Sequence, residues 1–167
     1  MTPTTAARTP GGEPPCEAGW APPGLRELPA WVMGRLADRT RSATLRRLAR
    51  HDLRLVHHAI LEAADALPDP TQRTLADAVG VDTSNMVHAL DELAERGLVV
   101  REARADDRRC NRVRITAAGR RELRWCREQA GAANREFLAG LPAADQRALV
   151  AVLGVLAEEH GIVAPRG

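Results

Sequence analysis

Four polar side chains crowd a short stretch of this chain: Thr83, Ser84 and Asn85, with His88 three residues on. Hydroxyl, amide and imidazole groups can donate and accept hydrogen bonds at the base edges of a DNA major groove. At about 100° per residue, Ser84, Val87, His88 and Asp91 fall on one side of a helix, and Met86, Leu90 and Leu93 on an apolar side that must point inward. Taken alone, the same residues also read as a polar solvent face on which Thr83 and Ser84 merely cap. The turn before them and the hairpin after them favour base reading.

A second constellation follows in Arg104-Ala-Asp-Asp-Arg-Arg-Cys-Asn-Arg112. A cationic tip suits the minor groove, whose negative potential attracts inserted arginine. Asp107 beside Arg109 makes a brace that limits the rotamer entropy the guanidinium would lose on binding. Arg104 and Arg108 extend the charge. The bland alternative is a soluble loop with incidental ion pairs. Distribution matters more than the total here, because the net charge is only +2. Between Arg96 and Arg127 there are eleven arginines against four acids, a local footprint suited to phosphates. Thr71, Gln72 and Arg73, where a shorter helix begins, are assigned to the DNA backbone.

Other chemistries find little support. Cys16, Cys110 and Cys126 are odd in number and lack metal-ligand spacing, so a disulfide framework and a zinc site are not expected. No nucleophile elbow, phosphate loop or metal motif is present, so neither an enzyme nor a cofactor is expected. There is no run of about 18 apolar residues and no signal-peptide pattern, which gives the expectation of a cytoplasmic protein with no membrane partner.

The elements that must position these side chains follow from periodicity and punctuation. The length of 167 residues fits one domain. Residues 1–26, rich in proline and glycine from Pro3 to Gly24, read as a disordered arm, with Trp20 as its one apolar anchor. Helices are expected over 28–49 and 51–67, the second stopped by Leu67-Pro68-Asp69-Pro70. A short helix over 71–79 ends at Gly80, and Asp82 caps the next one, which closes at Gly97. Strands over 98–102 and 112–115 pair across the charged tip. Thr116 caps a long helix to about Leu138, and Pro142 opens a last helix with a stripe of Leu149, Val152, Leu153 and Leu156, ended by Gly161. Helix, turn, helix and ribbon in that order make a mainly α fold with a β-hairpin wing, a winged helix-turn-helix for duplex DNA.

At these residues the chain resembles the MarR (multiple antibiotic resistance regulator) family of bacterial transcription factors. The resemblance rests on Leu75-Ala76, the Val81–Leu93 helix, Glu95-Arg96-Gly97-Leu98-Val99, Asp107-Arg108-Arg109 and Ile115-Thr116-Ala117-Ala118-Gly119. It covers about residues 28–160. Glu92 and Ala94 depart from it, where the family often has a basic residue and Glu. The resemblance implies a homodimer with a recognition helix in each major groove and Arg109, partnered by Asp107, in each minor groove. It makes 27–162 one MarR-like domain, with a DNA-binding lobe over 51–116 and dimerisation helices over 27–50 and 117–162. It also implies a DNA-binding regulator, a repressor that answers to a small anionic or aromatic effector. Trp31, His51, His57 and His58 are the candidate effector pocket, although adjacent histidines are commonly simple packing residues. Two alternatives stay open: a cysteine-based redox sensor of the same fold, and a winged-helix module that binds protein.

Overall fold

The computed structural model describes residues 22–103 and 111–162. Two compact units divide the chain, one ending at Asp38 and the other starting at Arg39. In the first, a short helix α1 (Pro23–Arg26) starts with proline near its N-terminus, where the missing N–H costs nothing. Helix α2 (Pro29–Leu48) follows and runs on across the boundary. Within the first unit, the Arg35 guanidinium lies 5.9 Å from the Trp31 ring centroid.

The second unit carries the elements that matter for the site. Helix α2 passes into a 3₁₀ turn over Ala49–His51, and α3 begins only at Leu55 and ends at Ala66. The expected helix from His51 therefore starts four residues late. Asp52 turns left-handed at φ 51°, and the Leu53 N–H reaches back to the Leu48 carbonyl at 3.1 Å. The break lets Leu53, only 2% exposed, plug the core beside Leu48.

Helices α4 (Gln72–Val79) and α5 (Thr83–Glu95) form the helix-turn-helix. Thr71 caps α4: its side chain accepts from the Thr74 N–H, and Thr74 Oγ1 accepts from the Thr71 N–H. Gly80 makes the turn at φ +72°, a conformation that an L side chain resists. Asp82 then caps α5 by accepting from the Asn85 N–H at 2.9 Å. At the far end, Gly97 donates to Ala94 and Leu98 donates to Leu93, so the last carbonyls of α5 are satisfied by a Schellman closure.

Strands β1 (Val99–Ala103) and β2 (Asn111–Ile115) are antiparallel, with Val99 opposite Ile115 and Arg101 opposite Val113. Alternation puts Val99, Val113 and Ile115 into the core. Helix α6 (Ala117–Leu138), capped by Thr116, packs on α3; α7 (Ala143–Glu159) buries none of its side chains. The core joins Leu48, Ile60, Leu61, Leu75, Met86, Leu90, Leu93, Leu123 and Cys126, all at 1% exposure or less. No single helix among the described residues is long and apolar enough to cross a membrane.

Candidate nucleic-acid interface

Helix α5 is sorted cleanly into two faces. Met86, Leu90 and Leu93 are fully buried, and each contributes about 2 kcal/mol relative to exposure. Thr83, Ser84, Asn85, Val87 and His88 are all exposed. The helix cannot rotate to hide its polar residues without exposing three large apolar ones, so the presentation of that row is set by the core.

The first turn is ordered further by Asp82. Besides capping Asn85, its carboxylate accepts from Ser84 Oγ at 2.6 Å and from the Asn85 side-chain amide. These hydrogen bonds, Ser84 foremost, bring its pKa down to about 2. Ser84 and Asn85 are thus held in place before any ligand arrives.

Two arginines that the sequence reading did not single out as site residues fasten the helix to its surroundings. Arg101 on β1 donates to Asp91 Oδ1 at 2.6 Å and to the Val87 carbonyl at 3.2 Å. Arg96 donates to the carbonyls of His51 and Asp52 at 2.9 and 3.1 Å, tying the end of α5 to the 3₁₀ turn. The alternation of the strand already places Arg101 on the face opposite Val100, but its acceptor ten residues earlier is a tertiary matter.

The start of α4 is joined to the hairpin. The Val113 N–H donates to the Pro70 carbonyl at 2.8 Å, Thr71 and Arg112 form a β-bridge, and Arg112 pairs with Asp69. Thr71 and Gln72 are partly buried there, and Arg73 is exposed. Arg104, Asp107, Arg108 and Arg109 lie outside the described residues, as do Cys16, Trp20 and Cys110. The two strands that flank that segment pair with each other, and β1 packs against α5.

With this geometry in place, similarity to known proteins becomes informative. A MarR family model matches residues 51–109. The repressor CouR, solved on a 23-mer DNA duplex, superposes with a TM-score of 0.71 and 29% identity over 81% of this chain and 96% of its own. The similarity to the MarR family is thus one of sequence over residues 51–109 and one of fold over most of the chain. CouR from Rhodococcus jostii bound to p-coumaroyl-CoA gives 0.66 and 27%, over 80% of this chain and 94% of that one. PcaV from Streptomyces coelicolor, in complex with its natural ligand, gives 0.66 and 26%, over 83% and 98%. These MarR relatives are transcriptional regulators. MarR of E. coli, at 19% identity and a TM-score of 0.70 over 77% and 96%, shares the fold.

The three candidate effector histidines have different surroundings within the second unit. His57 is 2% exposed and belongs to the core: its Nδ1 accepts from the Arg54 N–H at 3.3 Å and its Nε2 lies 2.7 Å from Glu92 Oε2. Burial, then the Arg54 charge, pushes its pKa down, so the ring is held neutral. His57 also lines a cavity with Asp52, Glu92, Glu95 and Arg96. The ring of His58 sits 3.1 Å from Glu62 Oε1 and lines a separate groove with Leu55, Ala63, Ala78 and Val79. His51 stacks on Trp125 at 3.6 Å with 2° between the rings, and its Nδ1 meets Glu122 at 2.7 Å. Trp31, partly buried, lies in the first unit.

Cys126 is fully buried in the chain's own core. Burial, then the nearby Glu122 carboxylate, pushes its thiol up to about 12, which makes it an inert apolar residue rather than a thiolate. Among the described residues, no group of three or more His, Cys, Asp or Glu side chains is arranged to hold a metal ion.

Proposed function

We propose that this chain is a DNA-binding transcriptional repressor that acts as a homodimer on a pseudo-palindromic operator and answers to a small anionic or aromatic effector. The observation that carries the reading is the outward row Thr83, Ser84, Asn85, Val87 and His88, set by the buried Met86, Leu90 and Leu93 behind it. Such a row at the start of a second helix suits base edges in the major groove. Thr71, Gln72 and Arg73 serve the phosphate backbone, and Arg104, Asp107, Arg108 and Arg109 serve the minor groove. CouR on its duplex supports the DNA partner, and the ligand complexes of CouR and PcaV support an effector.

Dimerisation is supported by α7. Val150, Val152, Leu153 and Val155 are 43–58% exposed on a helix with no fully buried residue. A second copy offering the same surface would cover them. For the effector, the reading keeps Trp31, His51 and His58 as candidates and sets His57 aside, because its ring is committed to Arg54 and Glu92. An effector that favours a dimer with its recognition helices misplaced would release the operator by shifting populations.

The test is a genomic pull-down with the full chain, followed by binding of the enriched duplex and titration with a panel of aromatic carboxylates. A single enriched inverted repeat bound by two chains supports the reading, and release by one panel member completes it. Enrichment of no sequence at all would overturn it.

A further inference from the structure

The carboxylate of Glu92 is the hub of a four-residue cluster that links α3 to the outward face of α5. Its Oε2 receives Arg54 Nη2 at 2.7 Å and His57 Nε2 at 2.7 Å, and its Oε1 faces His88 Nε2 at 3.0 Å. The proton positions follow from what each atom can do. His57 Nδ1 accepts from a backbone N–H, so on the neutral ring the hydrogen is on Nε2 and is donated to Glu92. Arg54 Nη2 lies 3.2 Å from that same Nε2. Both atoms are donors, so this is two donors converging on one oxygen rather than a bond between them.

We propose that Glu92 is a positioning residue that fixes which hydrogen-bonding edge of His88 is turned toward DNA. The inference rests on the reading of α5 as the recognition helix. An ionised carboxylate only accepts, so it holds the His88 hydrogen on Nε2 and leaves the lone pair on Nδ1. His88 is 71% exposed at its side chain, and Nδ1 is the ring nitrogen left to meet a base. A lone pair there accepts from adenine N6 or cytosine N4 and finds no partner in the guanine O6 and N7 acceptors. Without the carboxylate, either ring tautomer would be available and either class of base would be accepted.

The hold on His88 depends on Glu92 itself being held. With Oε2 taken by two donors from α3, one of them 98% buried, the side chain has little rotamer freedom left to lose when DNA arrives. Burial works against the charge of Glu92, but the Arg54 hydrogen bond and the neighbouring positive charge keep its carboxyl below the usual range. Asp91, next along the helix, is engaged by Arg101 from β1 and does not compete for His88.

The experiment selects randomised duplexes with the full chain at pH 8, for the parent, Glu92→Gln, His88→Ala, the double variant of these two, and Asn85→Ala. The parent should prefer adenine or cytosine over guanine about fivefold at one position in each half-site, the worth of one neutral hydrogen bond. A glutamine amide both donates and accepts, so Glu92→Gln should bring that position near parity. His88→Ala should lose the same preference, and the double variant should match His88→Ala. If His88→Ala relaxes a position and Glu92→Gln does not, or if Glu92→Gln alters the profile in the His88→Ala background, the positioning role is wrong while the recognition helix stands. If neither His88→Ala nor Asn85→Ala changes any position, the recognition-helix reading fails and takes the proposal with it. Nitrogen NMR of the unliganded parent gives a check that needs no variant: His88 should be the Nε2–H tautomer, and a dominant Nδ1–H form overturns the proposal.

Discussion

Arg101 and Asp91 bridge the first strand of the wing and helix α5, with Nη1 2.6 Å from Oδ1. The second amino group of the same guanidinium caps the Val87 carbonyl, so one side chain fixes both the angle and the register of α5 against the hairpin. Its Nε is buried with no partner, and Asp91 is 46% exposed, both of which limit the energy of the pair.

Arg101→Met, which keeps the stem and removes the fork, should therefore cost only about 1 kcal/mol, or roughly 2–4 °C in Tm. A double-mutant cycle with Asp91→Asn should return a coupling of about 0.5–1 kcal/mol. Urea melts of the four proteins measure it, and a coupling near zero would mean that the pair does not fix the hairpin.

A sharper steric demand lies at Gly119, where α6 leaves the hairpin. A Cβ at that position would overlap the Leu98 carbonyl oxygen and stand 2.7 Å from Ile115 Cγ1. Neither can yield, since Leu98 also accepts from the Thr116 N–H and Ile115 is core. Gly119→Ala should destabilise by about 2–3 kcal/mol through overpacking. Gly131, in the middle of the same helix, meets only the end of the Arg135 side chain at 3.3 Å. Gly131→Ala should stabilise by about 0.5–1 kcal/mol from helix propensity. Paired thermal melts distinguish the two, and equal shifts would contradict the packing at Gly119.

Stability should fall as the solution is acidified below neutrality because of His57. Burial, then Arg54, lowers its folded-state pKa below 6.5, so between those two values the unfolded chain binds the extra proton. The contribution is fully present above pH 6.5 and is lost as pH falls through the folded value. His57→Gln retains a donor for Glu92 and does not titrate. It should be less stable than the parent at pH 7.5, with the gap narrowing toward pH 5. Urea midpoints across that range provide the measurement, and a constant gap would place the titration elsewhere.

Local devices of this chain are legible in its sequence, and cross-chain ones are not. The inward face of Met86, Leu90 and Leu93, the turn at Gly80, and the caps at Asp82 and Thr116 each follow from a pattern a few residues long. The helix break at Asp52–Arg54 was hidden because Leu53 and Val56 continue an apolar spacing while the backbone answers to Leu48. His57 sat beside His58 as an apparent pair, yet a 100° rotation sends one into the core and the other to a groove. The i,i+4 spacing of His88 and Glu92 was visible, but Arg54, thirty-eight residues from Glu92, supplies half of its meaning. Cys126 reads as one more apolar position of a helix face, and only the packing of α6 on α3 decides which side it takes.

The wing is tested by charge and salt. Arg109 is assigned to the minor groove from its sequence context, next to Asp107 and within the arginine-rich stretch from Arg96 to Arg127. Under that assignment, replacing it with alanine removes one cation from the DNA footprint and leaves the outward face of α5 as it is. Arg109→Ala should weaken binding to many duplexes alike, and the slope of log affinity against log salt should become shallower by about 1. Asn85→Ala should do the reverse, leaving the slope and relaxing a base position. Fluorescence anisotropy over a sodium chloride series separates the two effects. Parent-like affinity for Arg109→Ala at every salt concentration would remove Arg109 from the interface and leave Arg104 or Arg108 to carry the wing.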